Sequence, residues 1–330
     1  MKAKYRNIFL IAGVAAIVIM LFTFNISIDT LTQSLRRAGY WFPAVIGIWI
    51  FIYSFNALSW YYIIRRGEKT CPISFLKVLK LSITGFALNY ATPCGLMGGE
   101  PYRIMELSPY VGVARATSSV ILYVMMHIFS HIWFWLLSIV LYLLFYPTNS
   151  TICTICIITL VLLLVIIYFF IKGYKNGMAL KTLRLLTHLP FIKKWAQNFL
   201  EKQRENLERI DCQIAELHTQ KRSTFYTAFG FEFTSRVLTS LEIYFILKIM
   251  MPEVNFLDCV MIMAFTSLFS NLFFFSPMQL GAREGGFALA VGGLAIPTAI
   301  GVYTGIISRV REIVWISIGV ILMKIGNLKK

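Results

Sequence analysis

Charged residues are scarce in this chain. They make up 14% of its 330 residues, whereas 58% are hydrophobic, and the mean hydropathy is +0.72. This composition excludes an ordinary soluble domain and predicts an integral membrane protein. Acidic residues are the rarer charge, with 15 aspartates and glutamates against 31 lysines and arginines. In so apolar a chain, basic cytoplasmic loops and contact with anionic headgroups explain this excess, so nucleic acid is not an expected partner.

Signatures of enzymes and cofactor sites are also missing. The sequence contains no G-x-x-x-x-G-K-[ST], no G-x-S-x-G and no H-E-x-x-H, so neither a nucleotide-binding loop nor a familiar catalytic motif is present. Cys153 and Cys156 form a C-x-x-C in an apolar context that favours packing. His127 and His131 lie four residues apart, but no carboxylate lies within a turn of them. We therefore predict no enzyme activity, no cofactor and no metal.

Apolar segments long enough to span a bilayer, about 20 residues as helix, recur along the chain. The predicted spans are 8–25, 40–64, 116–146, 150–172, 223–249 and 301–324. No small-residue cleavage site follows the first span, which predicts a retained anchor rather than a signal peptide. Regions 74–110 and 255–299 are shorter and broken by glycine and proline. The predicted fold is an all-α polytopic membrane protein with about six spanning helices and two re-entrant broken-helix regions in an inverted repeat.

The sizeable polar stretch of the sequence is 172–222, which contains eleven Lys/Arg and five Asp/Glu. The positive-inside rule places this stretch and both termini in the cytoplasm, which suits a bacterial inner membrane. With six spanning helices, these cytoplasmic locations are compatible only if region 74–110 enters and leaves the membrane from the cytoplasm and region 255–299 enters and leaves it from outside. Three units result: a first membrane half (1–171), a basic cytoplasmic amphipathic loop (172–222) and a second membrane half (223–330).

The two broken regions carry similar motifs. "TPCGLMGGEP" (92–101) and "SPMQLGAREG" (276–285) align without a gap. The matching pairs are Pro93 with Pro277, Leu96 with Leu280, and Glu100 with Glu284. Short segments broken by glycine and proline at matching positions of two halves indicate the substrate site of an inverted-repeat transporter.

Ionisable residues at membrane depth cost about 2.5–3.5 kcal/mol each on insertion scales and by default indicate function. Pro101 suits the first turn of a helix, so we expect a half-helix to begin near it, with its N-terminus facing an anion such as a lipid phosphate. Its glycines would permit close backbone approach. The candidate substrate-binding residues of the first region are Pro93, Gly98, Gly99, Glu100 and Arg103. Those of the second region are Pro277, Gly281, Arg283, Glu284 and Gly285.

Two predicted spans also carry charge. In 223–249 the polar residues fall within an arc of about 120°, and Glu232 and Arg236 are spaced to pair. In 301–324, Arg309 and Glu312 share a face. These residues form either a structural ion-pair network or a wet pathway for a headgroup, and we favour the pathway because two helices contribute. Glu232, Arg236 and Arg309 therefore join the candidate site. For Glu100 and Glu284, substrate contact and a structural role remain equally open.

The Pro…Gly-Gly-Glu-Pro-x-Arg element at 93–103 and the Pro…Gly-x-Arg-Glu-Gly element at 277–285 resemble the lysylphosphatidylglycerol synthase transmembrane (flippase-like) family. The resemblance covers most of the chain and implies the handling of charged lipids, polyprenyl-linked lipids or hopanoids. Lysyl-transferring members carry a large soluble aminoacyltransferase domain after the membrane part, which is not found before this chain ends at Lys330. The resemblance therefore implies the translocating half rather than synthase activity.

The leading hypothesis is a transporter that moves a lipid with a polar, anionic headgroup between leaflets through a midplane cavity. Its substrate would be a phospholipid or a polyprenyl-linked lipid, and a homo-oligomer is compatible with the sequence. One alternative is an intramembrane enzyme acting on a lipid-linked substrate. Another is a non-transporting membrane subunit that recruits a partner through 172–222.

Overall fold

The computed structural model describes residues 39–65, 73–91, 98–176, 222–273 and 282–325, with the single positions 201, 205, 208 and 279. Within these ranges the regular structure is helical, which confirms the all-α prediction. The helices are α1 (Trp41–Arg65), α2 (Phe75–Ala91), α3 (Gly99–Val111), α4 (Val113–Phe145), α5 (Ser150–Asn176), α6 (Arg222–Met250), α7 (Phe256–Leu272), α8 (Ala282–Gly293) and α9 (Thr298–Ile325).

Five predicted spans coincide with α1, α4, α5, α6 and α9 to within a few residues at either end. Three of the described helices are long and apolar enough to cross a membrane: α1, α4 and the Ser150–Lys172 part of α5. Helices α6 and α9 are as long but carry charges near their middle, so their crossing stays a prediction. The predicted span 8–25 and most of the basic stretch 172–222 lie outside the described residues.

Both broken regions contain two short helices. Region 74–110 holds α2 and α3, and region 255–299 holds α7 and α8, with 17, 13, 17 and 12 residues respectively. At 1.5 Å per residue these helices measure about 18–26 Å, short of a hydrocarbon core of about 30 Å. The sequence predicted that both regions are broken and that a half-helix begins near Pro101, but it did not predict the bounds of the other short helices.

Helices α2 and α3 form an antiparallel hairpin. Asn89 near the end of α2 accepts a hydrogen bond from the first residue of α3, Gly99, at 2.8 Å. At the other end, Lys77 of α2 contacts Tyr110 of α3. Gly112, at φ +80°, then turns the chain directly into α4. The hairpin therefore starts and finishes at the same end.

Helices α1 and α6 pack antiparallel along most of their length. Val45 lies against Ile246 near one end, and the Ser235 hydroxyl donates to Asn56 Oδ1 at 2.9 Å further along. Helix α2 packs on α9, and α4 packs on both α6 and α7. Helix α5 lies against α4, with the rings of Phe129 and Phe170 stacked at 4.5 Å, and its other faces expose apolar side chains as a lipid-facing helix does.

Candidate functional site

Arg311 of α9 and Glu242 of α6 form a buried pair. The guanidinium donates to both carboxylate oxygens, Nε to Oε1 at 2.9 Å and Nη2 to Oε2 at 3.2 Å. Trp49 of α1 donates its indole N–H to Glu242 Oε2 at 3.0 Å, and its ring lies 3.8 Å from the Arg311 guanidinium carbon. Three helices thus meet at one bidentate ion pair covered by an aromatic face.

The charges of the second broken region join the same part of α9. Arg309 donates from Nε to Glu284 Oε1 at 2.8 Å and from Nη1 to Glu312 Oε2 at 2.9 Å. Arg283 of α8 also bonds to Glu312. A Cβ on Gly305 of α9 would lie 3.2 Å from Glu284 Cγ and 3.7 Å from Glu284 Cα, so α8 and α9 pack closely here. The structure therefore brings together Arg283, Glu284 and Arg309, which the sequence assigns to the site.

Arg103, the corresponding cation of the first broken region, is packed rather than accessible, with 1% of its surface exposed. Its Nη1 lies 3.4 Å from Glu100 Oε1, and its Nη2 donates to the carbonyl oxygen of Ser82 at 3.3 Å. Its guanidinium carbon lies 5.8, 4.9 and 5.1 Å from the ring centres of Trp60, Phe86 and Tyr123. In this conformation Arg103 packs α3 against α1, α2 and α4.

The N-terminus of α3 already interacts with groups of the chain itself. The helix begins at Gly99, within two residues of the predicted start. Asn89 accepts from the Gly99 N–H and donates to Glu100 Oε1 at 2.9 Å. Gly98 is buried as the N-cap, and a Cβ on Gly99 would lie 2.2 Å from the carbonyl oxygen of Gly85. The predicted close backbone approach is present between Gly99 and Gly85. One N–H group at this helix end, that of Gly99, already donates to Asn89 and is therefore not free to bind an anion.

A histidine bridges Glu232 and Arg236 of α6. His127 of α4 places Nδ1 2.9 Å from Glu232 Oε2 and Nε2 3.1 Å from Arg236 Nη2. Arginine can only donate, so Nε2 is the acceptor and Nδ1 carries the hydrogen, which assigns a neutral imidazole. The direct Glu232–Arg236 pair predicted from spacing is replaced by this bridge.

His127 is the functional candidate that sequence reasoning missed. Its carboxylate partner is 105 residues away on another helix, so a search within one turn of α4 could not find it. The available signal was a polar residue inside a long apolar helix. Across the described residues, no three metal-ligating side chains converge on a common point.

One tyrosine lies between two of these groups. The Tyr123 ring packs against Arg103 and lies 6.3 Å from the His127 ring. We define the charge cluster as three groups of polar contacts together: Glu100 with Arg103, Glu232 with Arg236 through His127, and Glu242, Arg283, Glu284, Arg309, Arg311 and Glu312, which are joined by ion pairs.

Access to the charge cluster differs between its members. The side chains of Glu100 and Glu284 are 18% and 23% exposed, and that of the bridging His127 is 27% exposed. The arginines are buried. Among the other predicted site residues, Gly285 has open space where a Cβ would stand, and Pro93, Pro277 and Gly281 lie outside the described residues.

The comparisons with known proteins place the chain in a family. No curated protein and no solved structure matches it. The family model described as the lysylphosphatidylglycerol synthase TM region matches residues 9–319, which include both broken regions and the whole charge cluster. This match confirms the resemblance seen in the motifs and supports a lipid-related role in the membrane. The chain is an integral membrane protein that belongs to the lysylphosphatidylglycerol synthase transmembrane family.

Proposed function

We propose that the protein moves a lipid with an anionic, phosphate-containing headgroup between the two leaflets of a membrane. The observation that carries this proposal is the charge cluster, to which both broken regions contribute although their motifs lie 184 residues apart. Charges at membrane depth that converge from separate helices are typical of a substrate pathway.

The contacts between helices support an inverted repeat. Helices α1 to α4 and α6 to α9 each comprise a long helix, two short ones and a second long one. Contacts of α1 with α2, α3 with α4, and α2 with α9 are matched by contacts of α6 with α7, α8 with α9, and α7 with α4. Helices α1 and α6 pack on each other. A two-fold axis relating the two halves would produce this pattern.

The unused hydrogen-bonding capacity of the charge cluster suits a phosphate headgroup. In the described part of the chain, Arg103 Nε and Arg236 Nε have no hydrogen-bond partner. Guanidinium groups bind phosphate oxygens with a planar fork of donors. Glu100 Oε2 and Glu232 Oε1 also lack a partner and could accept from a headgroup hydroxyl.

Movement of the helical hairpins would expose these groups. The arginines are buried, whereas Glu100 and Glu284 at the starts of α3 and α8 are partly exposed. In an alternating-access cycle, the α2–α3 hairpin and the α7–α8 pair would open towards opposite leaflets in turn. The headgroup would then pass from one half of the charge cluster to the other while the acyl chains stay in lipid.

Translocation by the purified protein tests the proposal. Proteoliposomes without nucleotide or partner protein are loaded with fluorescent phosphatidylglycerol, phosphatidylcholine or polyprenyl phosphate, and leaflet exchange is followed by dithionite quenching. We expect one or both anionic lipids to exchange faster with the wild-type protein than in protein-free vesicles. With Arg283→Ala the exchange should be at least about 10-fold slower than with wild type, since loss of one charged hydrogen bond costs about 1.5–3 kcal/mol. Lys324→Ala, an exposed cation at the end of α9, is the control.

The alternatives give different outcomes. An intramembrane enzyme would change the mass of the labelled lipid, which lipid extraction and mass spectrometry would reveal. If vesicles that contain intact protein exchange every lipid no faster than protein-free vesicles, the proposal is contradicted and a non-transporting subunit is favoured.

A further inference from the structure

The charge cluster is electrically balanced among the described residues. It contains five buried arginines, three buried glutamates and the two partly exposed glutamates that bond to arginines, Glu100 and Glu284. The bridging imidazole of His127 adds no charge in its assigned tautomer. An anionic headgroup that enters this site therefore brings an unbalanced negative charge into a region of low dielectric, which is costly unless a positive charge accompanies it.

We propose that His127 is a proton-binding site and that the anionic lipid enters the charge cluster together with a proton on this residue. The inference rests on the proposed transport function and adds its ion coupling. Histidine is the side chain whose charge changes near neutral pH, and the His127 side chain is 27% exposed, so the surrounding protein does not enclose it.

The geometry of the bridge links the proton to the headgroup. A proton can be added only to Nε2, because Nδ1 already carries a hydrogen that it donates to Glu232. Once protonated, Nε2 can no longer accept from Arg236, 3.1 Å away, and the two cations repel. The pair with Glu232 becomes an ion pair. Protonation thus releases the Arg236 guanidinium, whose Nε also lacks a partner among the described residues, towards a phosphate.

The surroundings of His127 favour this residue over the cluster's carboxylates as the proton carrier. Glu100 and Glu284 each bond to a buried arginine, so they already have a cationic partner. His131 on the same helix stacks edge-on against His127 at 5.2 Å, and Glu232 and Arg236 hydrogen-bond to His127 rather than to His131. The titratable and charged groups around the imidazole are Glu232 and Arg236 on α6, which hydrogen-bond to it, and Tyr123 and His131 on α4, whose rings lie 6.3 and 5.2 Å from it. Beyond Tyr123 lies Arg103 of α3 with its partner Glu100.

Proton uptake on lipid binding tests the inference. Dioctanoyl phosphatidylglycerol or dioctanoyl phosphatidylcholine is titrated calorimetrically into detergent-solubilised protein at pH 7, in buffers of different ionisation enthalpy. We expect uptake of about one proton per phosphatidylglycerol and none with phosphatidylcholine. His127→Gln should lose this uptake, whereas His131→Gln, four residues away, should keep it. In wild-type protein labelled with ¹⁵N at its four histidines, one ring should change to the doubly protonated form when phosphatidylglycerol binds.

The outcomes separate this inference from the function on which it rests. Binding and translocation of phosphatidylglycerol without proton uptake, or with uptake that persists in His127→Gln, would overturn the proton site alone. Equal binding of both lipids without uptake would mean that a zwitterionic headgroup suffices. If neither lipid binds or moves, both proposals fail. The ¹⁵N measurement needs no variant: if none of the four rings becomes doubly protonated when phosphatidylglycerol binds, the proton site is overturned even if His127→Gln does not fold.

Discussion

Arg311 carries a charge whose burial costs free energy, yet its contacts join α9 to α6 and α1. Its charge is compensated by a bidentate bond to Glu242, and its guanidinium face lies on the Trp49 ring. A buried ion pair adds little over a hydrophobic replacement, but removal of one partner leaves an uncompensated charge. The stability of the protein therefore depends on Arg311 and Glu242 being present or absent together, rather than on either residue alone.

Arg311→Ala should lower the free energy of unfolding by about 3–5 kcal/mol, because Glu242 would keep, among the described residues, only the Trp49 N–H as partner. Thermal unfolding of the detergent-solubilised protein would measure the loss. The double variant Arg311→Met with Glu242→Gln should recover much of it, since both charges are gone. Lys324→Ala, at an exposed site on the same helix, should behave like wild type. A double variant as unstable as Arg311→Ala would contradict the explanation by unpaired charge.

At the residue scale, sequence reasoning identified the charged side chains of the charge cluster better than their partners. Arg283, Glu284 and Arg309 were assigned together and lie together. Arg103 was predicted to face the headgroup, yet three aromatic rings from other helices enclose it. Side-chain partners depend on how helices are rotated against each other, and periodicity within one helix carries no information about that rotation.

At the scale of helices, glycine determines how closely the first hairpin closes. Gly85 of α2 faces both Gly99 and Arg103 of α3. A Cβ on Gly85 would lie 2.3 Å from Arg103 Nε, and one on Gly99 would lie 2.2 Å from the Gly85 carbonyl oxygen. The sequence predicted a close approach at this motif. It could not identify Gly85 as the opposite surface, because that residue belongs to a different helix.

Gly99→Ala should destabilise the protein by about 3 kcal/mol, at the upper end of the cost of overpacking, because the new methyl group meets backbone rather than a movable side chain. Gly230→Ala on α6 is the matched control, since nothing lies within 4 Å of the position that its methyl group would take and alanine favours a helix. Fluorescence-detected size exclusion after heating would compare the two. Equal stability of both variants would show that α2 and α3 can separate without penalty.

For the whole molecule, the ends of α4 define two opposite faces. This helix has 33 residues and measures about 50 Å, more than a hydrocarbon core of about 30 Å. Its start follows the α2–α3 hairpin through Gly112, and its end is joined to the start of α7 by a hydrogen bond from Tyr146 to Asp258. The sequence predicts from basic loops that the two broken regions enter from opposite sides of the membrane, because the positive-inside rule acts on composition and needs no contacts. Which end of α4 faces the cytoplasm stays a prediction.

Labelling of single cysteines in a cysteine-free background should locate these faces. Thr148→Cys after α4 and Pro252→Cys before α7 should react with a membrane-impermeant maleimide in intact cells, since both positions are exposed and the Tyr146–Asp258 bond keeps them on one side. Ser74→Cys, exposed before α2, should react only after the cytoplasmic face is opened in inverted vesicles. The reason is that the two hairpins of an inverted repeat enter from opposite sides, so their first residues cannot share a face. If Ser74→Cys and Pro252→Cys react from the same side, the halves are not inverted, and the passage of a headgroup from one hairpin to the other loses its structural basis.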